Sequence, residues 1–324
     1  MLLPSLAVIG GFVLLVWGAE RFVVGASATA CNLGVSPLII GLTIVAFGTS
    51  APEMIVSAVA SWQGNAGLAF GNAIGSNITN ISLVLGLTAL IVPLQVHSNT
   101  LRRELPILLL IMFFVLALIL DGDMNRGDGL LLLLGLGMMI YWLVGLGLRS
   151  RGADPIVGEF EHEIPGRMSV SRAMLWLLLG MVVLFISSRI LVWGAVAIAH
   201  SLGVSDLVIG LTIIAIGTSL PELAASVMSA LKNEPDIAIG NVIGSNMFNL
   251  LGVMAMPGLL APGVVSEGVL ARDYPWMLAL TLALFAMAYG FRGPGRVNRL
   301  EGGLLLLAYI LYLYVLFEAT VHGA

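Results

Sequence analysis

The chain carries the text GLTIVAFGTSAPE at Gly41–Glu53 and again, nearly unchanged, as GLTIIAIGTSLPE at Gly210–Glu222. Downstream stand GNAIGSNITN at Gly71–Asn80 and GNVIGSNMFN at Gly240–Asn249. Every residue of one copy lies 169 positions from its counterpart in the other. Two motif pairs at one constant offset mean two structurally equivalent halves. Each half places one carboxylate, Glu53 or Glu222, in an otherwise apolar stretch. A carboxylate at membrane depth is expensive, and a duplicated one marks an ion or proton site by default.

Composition sets the environment. Of 324 residues, 59% are hydrophobic and only 10% charged, against about 25% charged in soluble domains. The chain reads as a polytopic helical membrane protein, since each span needs roughly 20 mostly apolar residues with satisfied backbones. The 39 glycines suit close helix packing in lipid. A single cysteine, Cys31, excludes an intramolecular disulfide and reads as a packed thiol. The apolar start, MLLPSLAVIGGFVLLVWGAERF, lacks a basic leader and reads as a mature first span.

Ten apolar segments lie near 4–30, 36–62, 67–93, 103–120, 128–148, 172–199, 205–231, 236–260, 272–291 and 300–320. The polar stretch from Arg149 to Arg172, with Pro155, Pro165 and Glu159, Glu161 and Glu163, separates five spans from five. The division is 1–150, a connector at 151–171, and 172–324. An odd number of spans per half makes the second half insert upside down, so the expected fold is all-α, ten transmembrane helices in two inverted five-helix repeats. With the N-terminus outside, cytoplasmic connectors hold ten basic residues, namely Arg102, Arg103, Arg149, Arg151, Arg167, Arg172, Lys232, Arg292, Arg296 and Arg299. Outer connectors hold two, Arg126 and Arg272. The positive-inside rule selects this orientation, with both termini outside and the connector at 151–171 cytoplasmic.

Within each half the run Gly-Thr-Ser-x-Pro-Glu, Gly48–Glu53 and Gly217–Glu222, combines a helix breaker with oxygen donors. Proline removes an amide donor, so a helix broken at the membrane midplane is expected, its freed carbonyls lining a cavity. Thr49, Ser50, Thr218 and Ser219 add hydroxyls, and Glu53 and Glu222 add charge. Hard oxygen ligands of this kind suit sodium and calcium and suit soft metals poorly. No cysteine or histidine cluster competes, since His97, His162, His200 and His322 are scattered. In the second element Ser76 and Asn80, like Ser245 and Asn249, are four apart and share a helix face. That face is expected to dock on the broken helix, with Asn80 and Asn249 supplying amide oxygens or orienting the glutamates. Gly71, Gly75, Gly240 and Gly244 read as packing positions. Asn72, Asn77, Asn241 and Asn246 divide evenly between packing and support of the site.

These motifs resemble the two α-repeats of the sodium/calcium exchanger family, within the cation/calcium antiporter superfamily, and the chain looks like a compact prokaryotic-type member. The resemblance covers nearly the whole chain. It implies that Thr49, Ser50, Glu53, Ser76 and Asn80, with Thr218, Ser219, Glu222, Ser245 and Asn249, line the transport site. Backbone carbonyls near Ala46 and Ala215 join them on the same ground. It also implies that the first and sixth spans form a mobile pair that switches access. One departure stands out: many members carry aspartate where this chain has Asn249, leaving two carboxylates here instead of three. The cation/proton branch typically adds an acidic residue and a histidine in the second element, and GSNITN and GSNMFN have neither.

The resulting expectation is a secondary antiporter in a prokaryotic inner membrane, exchanging sodium for calcium. It is not an enzyme, needs no cofactor, and has calcium, sodium and membrane lipid as its partners, with neither nucleic acid nor an obligate protein partner. A calcium/proton antiporter and, less well matched, a cation channel are the alternatives. Glu20 and Arg189 occupy equivalent positions in the first and sixth spans. They read either as snorkelling side chains or as a salt bridge between those two spans. Asp121, Asp123 and Asp128 lack the closing glutamate of an EF-hand and read as a solvated outer turn.

Overall fold

The computed structural model describes residues 2–34, 37–64, 66–96, 101–149, 168–202, 215–265, 267–289 and 295–322. Most of the connector expected at 151–171, including Glu159, Glu161 and Glu163, lies outside the described residues, as does the start of the seventh segment. Among the described residues eight helices are long and apolar enough to cross a membrane. Two shorter apolar helices, Glu104–Ile119 and Leu220–Leu231, fall on the fourth and seventh segments.

In chain order the helices are α1 (Leu2–Leu33), α2 (Pro37–Ile40), α3 (Ala46–Trp62), α4 (Ala66–Thr79), α5 (Gly86–Ile91), α6 (Leu101–Ile119) and α7 (Arg126–Arg149). The second half supplies α8 (Val170–Ser201), α9 (Ala215–Thr218), α10 (Leu220–Leu231), α11 (Pro235–Phe248), α12 (Ala255–Leu260), α13 (Tyr274–Tyr289) and α14 (Arg299–His322). The offset of 169 reappears in three dimensions. A π-helical turn at Asn80–Leu85 joins α4 to α5, and one at Asn249–Val253 follows α11. Both begin on the asparagine of the second motif. Such turns are rare and concentrate at functional sites; nothing in the periodicity of the sequence announced them.

Helix α1 buries one stripe, Leu15, Ala19, Phe22, Ala26 and Ala30, at the three- and four-residue spacing of a helix face. Its opposite side, including Leu6, Ile9, Phe12 and Val13, stays exposed as a lipid-facing surface requires. The stripe packs along α8. A β-carbon at Gly25 would collide with the Leu177 backbone, and one at Gly180 with the Phe22 backbone. Gly11 likewise meets Leu191. These matches make α1 and α8, which are equivalent in sequence, antiparallel and backbone-close. Their apolar contacts form a cluster of their own, with Ile40, Val45, Ala225 and Ile237, apart from the larger core of the remaining helices.

That larger core surrounds α11. Every residue from Asp236 to Phe248 is buried, as expected for a helix apolar around its circumference. Gly244 lets it approach the first half, with Leu42 and Ala46 within 3 Å of where a β-carbon would stand. The halves also exchange peripheral contacts. Helix α14 packs on α5, and α7 packs on α12. Two short antiparallel pairs, which an all-helical expectation did not include, tie the connectors together. Strand β1 (Leu94–Val96) pairs with β4 (Gly295–Val297), and β2 (Asp123–Met124) with β3 (Gly263–Val264). Each pair joins one half to the other.

The expected midplane break is only half present. In the second half the helix is interrupted at Ser219, between α9 and α10. In the first half α3 runs without interruption through Pro52, and the irregularity is a π turn upstream, Gly41–Val45. Proline takes away one amide hydrogen bond, the one Gly48 would accept, and the neighbouring turns of a 17-residue helix hold the chain in register.

Candidate functional site

The two motif elements of each half pack side by side, α3 on α4 and α10 on α11. This brings the expected residues into one buried region. Thr49, Ser50 and Glu53 lie on α3, Ser76 and Asn80 on α4 and its π turn, Ser219 and Glu222 at the start of α10, and Ser245 and Asn249 along α11 and its π turn; all are buried. Ala46 is buried, Thr218 is half-buried, and of Ala215 only the backbone, at the start of α9, is described.

The contacts cross between halves. Ser50 Oγ donates to Glu222 Oε1 at 3.3 Å. Thr49 Oγ1 lies 3.1 Å from Asn241 Oδ1, 3.4 Å from Ser245 Oγ and 3.3 Å from the Ala46 carbonyl. Asn80 Nδ2 donates to Asn246 Oδ1 at 3.2 Å. Ser50, about one turn from Glu53 on α3, thus links the first half's glutamate-bearing turn to the carboxylate of Glu222.

Several polar atoms here have no hydrogen-bond partner among the described residues. They are one carboxylate oxygen each of Glu53 and Glu222, the Asn80 amide oxygen, both amide atoms of Asn249, and the Ser219 hydroxyl. A buried polar atom left unpaired costs about 1–3 kcal/mol, and a charged one more. Buried oxygens without partners call for an explanation, and hard oxygen donors of this type are the ligands that calcium takes.

Sequence reasoning left Asn72 and Asn241 between packing and support of the site, and missed the serines they pair with. Asn72 Nδ2 donates to the Glu53 carbonyl at 3.0 Å and to Ser57 Oγ at 3.1 Å. Asn241 Nδ2 does the same to the Glu222 carbonyl at 3.3 Å and Ser226 Oγ at 3.0 Å. Ser57 and Ser226 also obey the offset of 169, and extending the repeat beyond the glutamates would have found them. The same extension pairs Glu104 with Asp273, both buried, at the starts of equivalent spans. Asp273 accepts two hydrogen bonds from Arg272, at 2.7 and 3.1 Å, and one from Tyr312 at 3.2 Å.

The salt bridge between Glu20 and Arg189 is not formed. Glu20 lies 3.6 Å from Lys232, and Arg189 is exposed over the Phe185 ring of its own helix. The antiparallel crossing explains it. With Phe22 against Gly180 and Gly11 against Leu191, residues 20 and 189 stand about two turns, or ~10 Å, apart along the axis. Arg21 instead stacks over Trp17 and Trp176, at 5.6 and 4.8 Å from their ring centres. Asp128 and Asn125 cap α7, with Asn125 N bonded to Asp128 Oδ2 at 2.9 Å, in an exposed turn.

The family described as sodium/calcium exchanger protein matches residues 4–145 and 172–318, the two halves with the connector left out. The chain belongs to the sodium/calcium exchanger family. It is therefore a membrane transporter and not an enzyme. Among relatives, CaxA of Alkalimonas amylolytica is 50% identical over 98% of this chain and 100% of its own. The inner membrane protein YrbG of Escherichia coli (strain K12) is 40% identical over 98% of each. A solved structure of the sodium-calcium exchanger NCX_Mj superposes with a TM-score of 0.83 at 33% identity, covering 97% of this chain and 98% of that one. Matching whole length to whole length, this exchanger-family chain is a compact member.

Proposed function

We propose that this protein is a secondary antiporter that couples sodium entry to calcium extrusion. The observation that carries the reading is the meeting of Glu53 and Glu222, from equivalent turns of two halves, among unpaired oxygens in the interior of a membrane protein. The ligands are Thr49, Ser50, Glu53, Ser76 and Asn80 with Thr218, Ser219, Glu222, Ser245 and Asn249, joined by carbonyls at Ala46 and Ala215. Two carboxylates carry a charge that one calcium ion neutralises and that several sodium ions neutralise instead. Competition for one set of oxygens is the basis of exchange.

The architecture proposed for this exchange is ten helices in two inverted repeats, 1–150 and 172–324, with both termini outside and the connector at 151–171 in the cytoplasm. The antiparallel packing of α1 and α8 supports the inversion, and their separate apolar cluster supports movement of that pair against the rest. Only a cation-loaded site would permit the switch. Closing two bare carboxylates into a low-dielectric interior costs several kcal/mol per ion, which suppresses uncoupled return.

The deciding experiment is calcium flux in proteoliposomes under imposed sodium, potassium or proton gradients. Sodium-driven, saturable calcium counterflow supports the reading. Calcium uptake driven by pH without sodium selects calcium/proton antiport, and calcium flux without counterflow selects a channel.

A further inference from the structure

We propose that Asn72 and Asn241 are positioning residues that fix the two ion-binding glutamates by holding their main-chain carbonyls; the proposal rests on the reading of Glu53 and Glu222 as cation ligands. In the first half a closed chain of hydrogen bonds runs from the Ala69 carbonyl to Ser57 Oγ at 3.2 Å, to Asn72 Nδ2 at 3.1 Å, and on to the Glu53 carbonyl at 3.0 Å. In the second half it runs from the Ala238 carbonyl to Ser226 Oγ at 3.5 Å, to Asn241 Nδ2 at 3.0 Å, and on to the Glu222 carbonyl at 3.3 Å.

Donor counting leaves one arrangement. A carbonyl cannot donate, so each serine hydroxyl gives its proton to the alanine carbonyl and accepts from the asparagine. The two amide protons of the asparagine are then both used. Turning the amide over would set its oxygen against the glutamate carbonyl, acceptor against acceptor. The amide oxygen is thereby aimed away from the clamp, and in Asn241 it accepts from Thr49 Oγ1 of the other half at 3.1 Å.

Position gives the clamp its consequence. Asn72, Ser76 and Asn80 follow at four-residue steps, as do Asn241, Ser245 and Asn249, so each set shares one helix face. The clamp ties the turn that carries the glutamate to the face that carries the other ligands. Mere glue between helices would need no bond to the carbonyl of the glutamate itself. Calcium ligands must converge at about 2.3–2.6 Å, so a loosened register is read as lost calcium affinity more than as lost maximal flux.

The test measures calcium-dependent thermal stabilisation of the purified full-length protein and calcium flux in proteoliposomes, for Asn72→Leu, Asn241→Leu, Ser57→Ala and Asn72→Leu/Ser57→Ala. Leucine keeps volume and removes the donors. The expected result is an at least tenfold rise in half-saturating calcium for either leucine variant, with a smaller loss of maximal flux. The double variant should be no worse than Asn72→Leu, because the serine acts through the asparagine. Unchanged half-saturating calcium, with only a lower unfolding temperature in calcium-free buffer, would overturn the proposal and leave the asparagines as packing residues. Should the leucine variants not fold, Ser57→Ala decides, with a roughly threefold rise supporting the clamp and no change overturning it. If wild-type protein responds to neither calcium nor sodium, the cation-site reading itself fails and the proposal falls with it.

Discussion

Ser50 of the first half donates its hydroxyl proton to the carboxylate of Glu222 in the second, 172 residues away, at 3.3 Å. The counterpart hydroxyl, Ser219, has no such partner among the described residues. Two halves that are equivalent in sequence therefore hold their carboxylates differently in this conformation. A transporter whose halves exchange roles when access switches would show this inequality in each end state, with the partners reversed in the other.

Glu53→Gln and Glu222→Gln should each abolish calcium flux while the protein remains folded and membrane-inserted. Glutamine keeps shape and hydrogen bonding but removes the charge that balances a divalent ion. Ser50→Ala should act more mildly, since a hydrogen bond to a charged group is worth about 1.5–3 kcal/mol, a loss of roughly ten- to a hundredfold in affinity at most. The check is calcium counterflow together with size-exclusion behaviour; robust exchange by the double glutamine variant would remove both glutamates from the site.

Asn249→Asp should destabilise the protein in cation-free buffer and stabilise it in calcium. Both amide atoms of Asn249 lack partners among the described residues, and the side chain is fully buried. A third carboxylate there adds repulsion to two existing charges and attraction to any cation. Thermal unfolding in chelator and in millimolar calcium reads both signs. An identical shift in the two buffers would mean that position 249 does not face the ions.

Ser27→Ala should lower stability more than Lys232→Ala. Ser27 is buried and donates to Glu234 at 2.5 Å, and a hydrogen bond to a charged partner is worth about 1.5–3 kcal/mol. The Lys232–Glu20 pair is partly exposed, at 30% and 42%, where ion pairs contribute about 0–1 kcal/mol. Denaturant midpoints of the two variants in the same detergent settle the order.

Cysteines at Ser98 and Gly158, in a background without Cys31, should be shielded from impermeant thiol reagents applied to intact cells, and one at Asp121 should be labelled. The argument is the ten-to-two bias of basic residues across connectors. Asp121 is preferred to Gly122, whose φ of +84° would strain a cysteine. External labelling at Gly158 would reverse the orientation and the direction of the access switch.

Much of this was legible before any coordinate. An insertion-free duplication transfers every local reading by 169 positions, so that Glu53 named Glu222 and Asn80 named Asn249. Apolar run length reported the spans, because a helix satisfies its own backbone and lipid asks nothing else of it. Four-residue spacing set Ser76 beside Asn80 on one face. Each of these is a short-range property, carried by residues within a few turns of one another.

The contacts between halves were not legible. Ser50 to Glu222, Thr49 to Asn241 and Glu20 to Lys232 join residues about two hundred positions apart, and the two sequences that meet carry no mark of their partner. The antiparallel crossing of α1 on α8 decided that Glu20 stands about two turns from Arg189 along the axis, because glycine contacts fix which turns lie opposite. Packing also decided that α3 passes unbroken through Pro52 while its counterpart stops at Ser219. Proline lowers the cost of a break by one hydrogen bond in either half; only the surroundings of each helix determine whether the break is made.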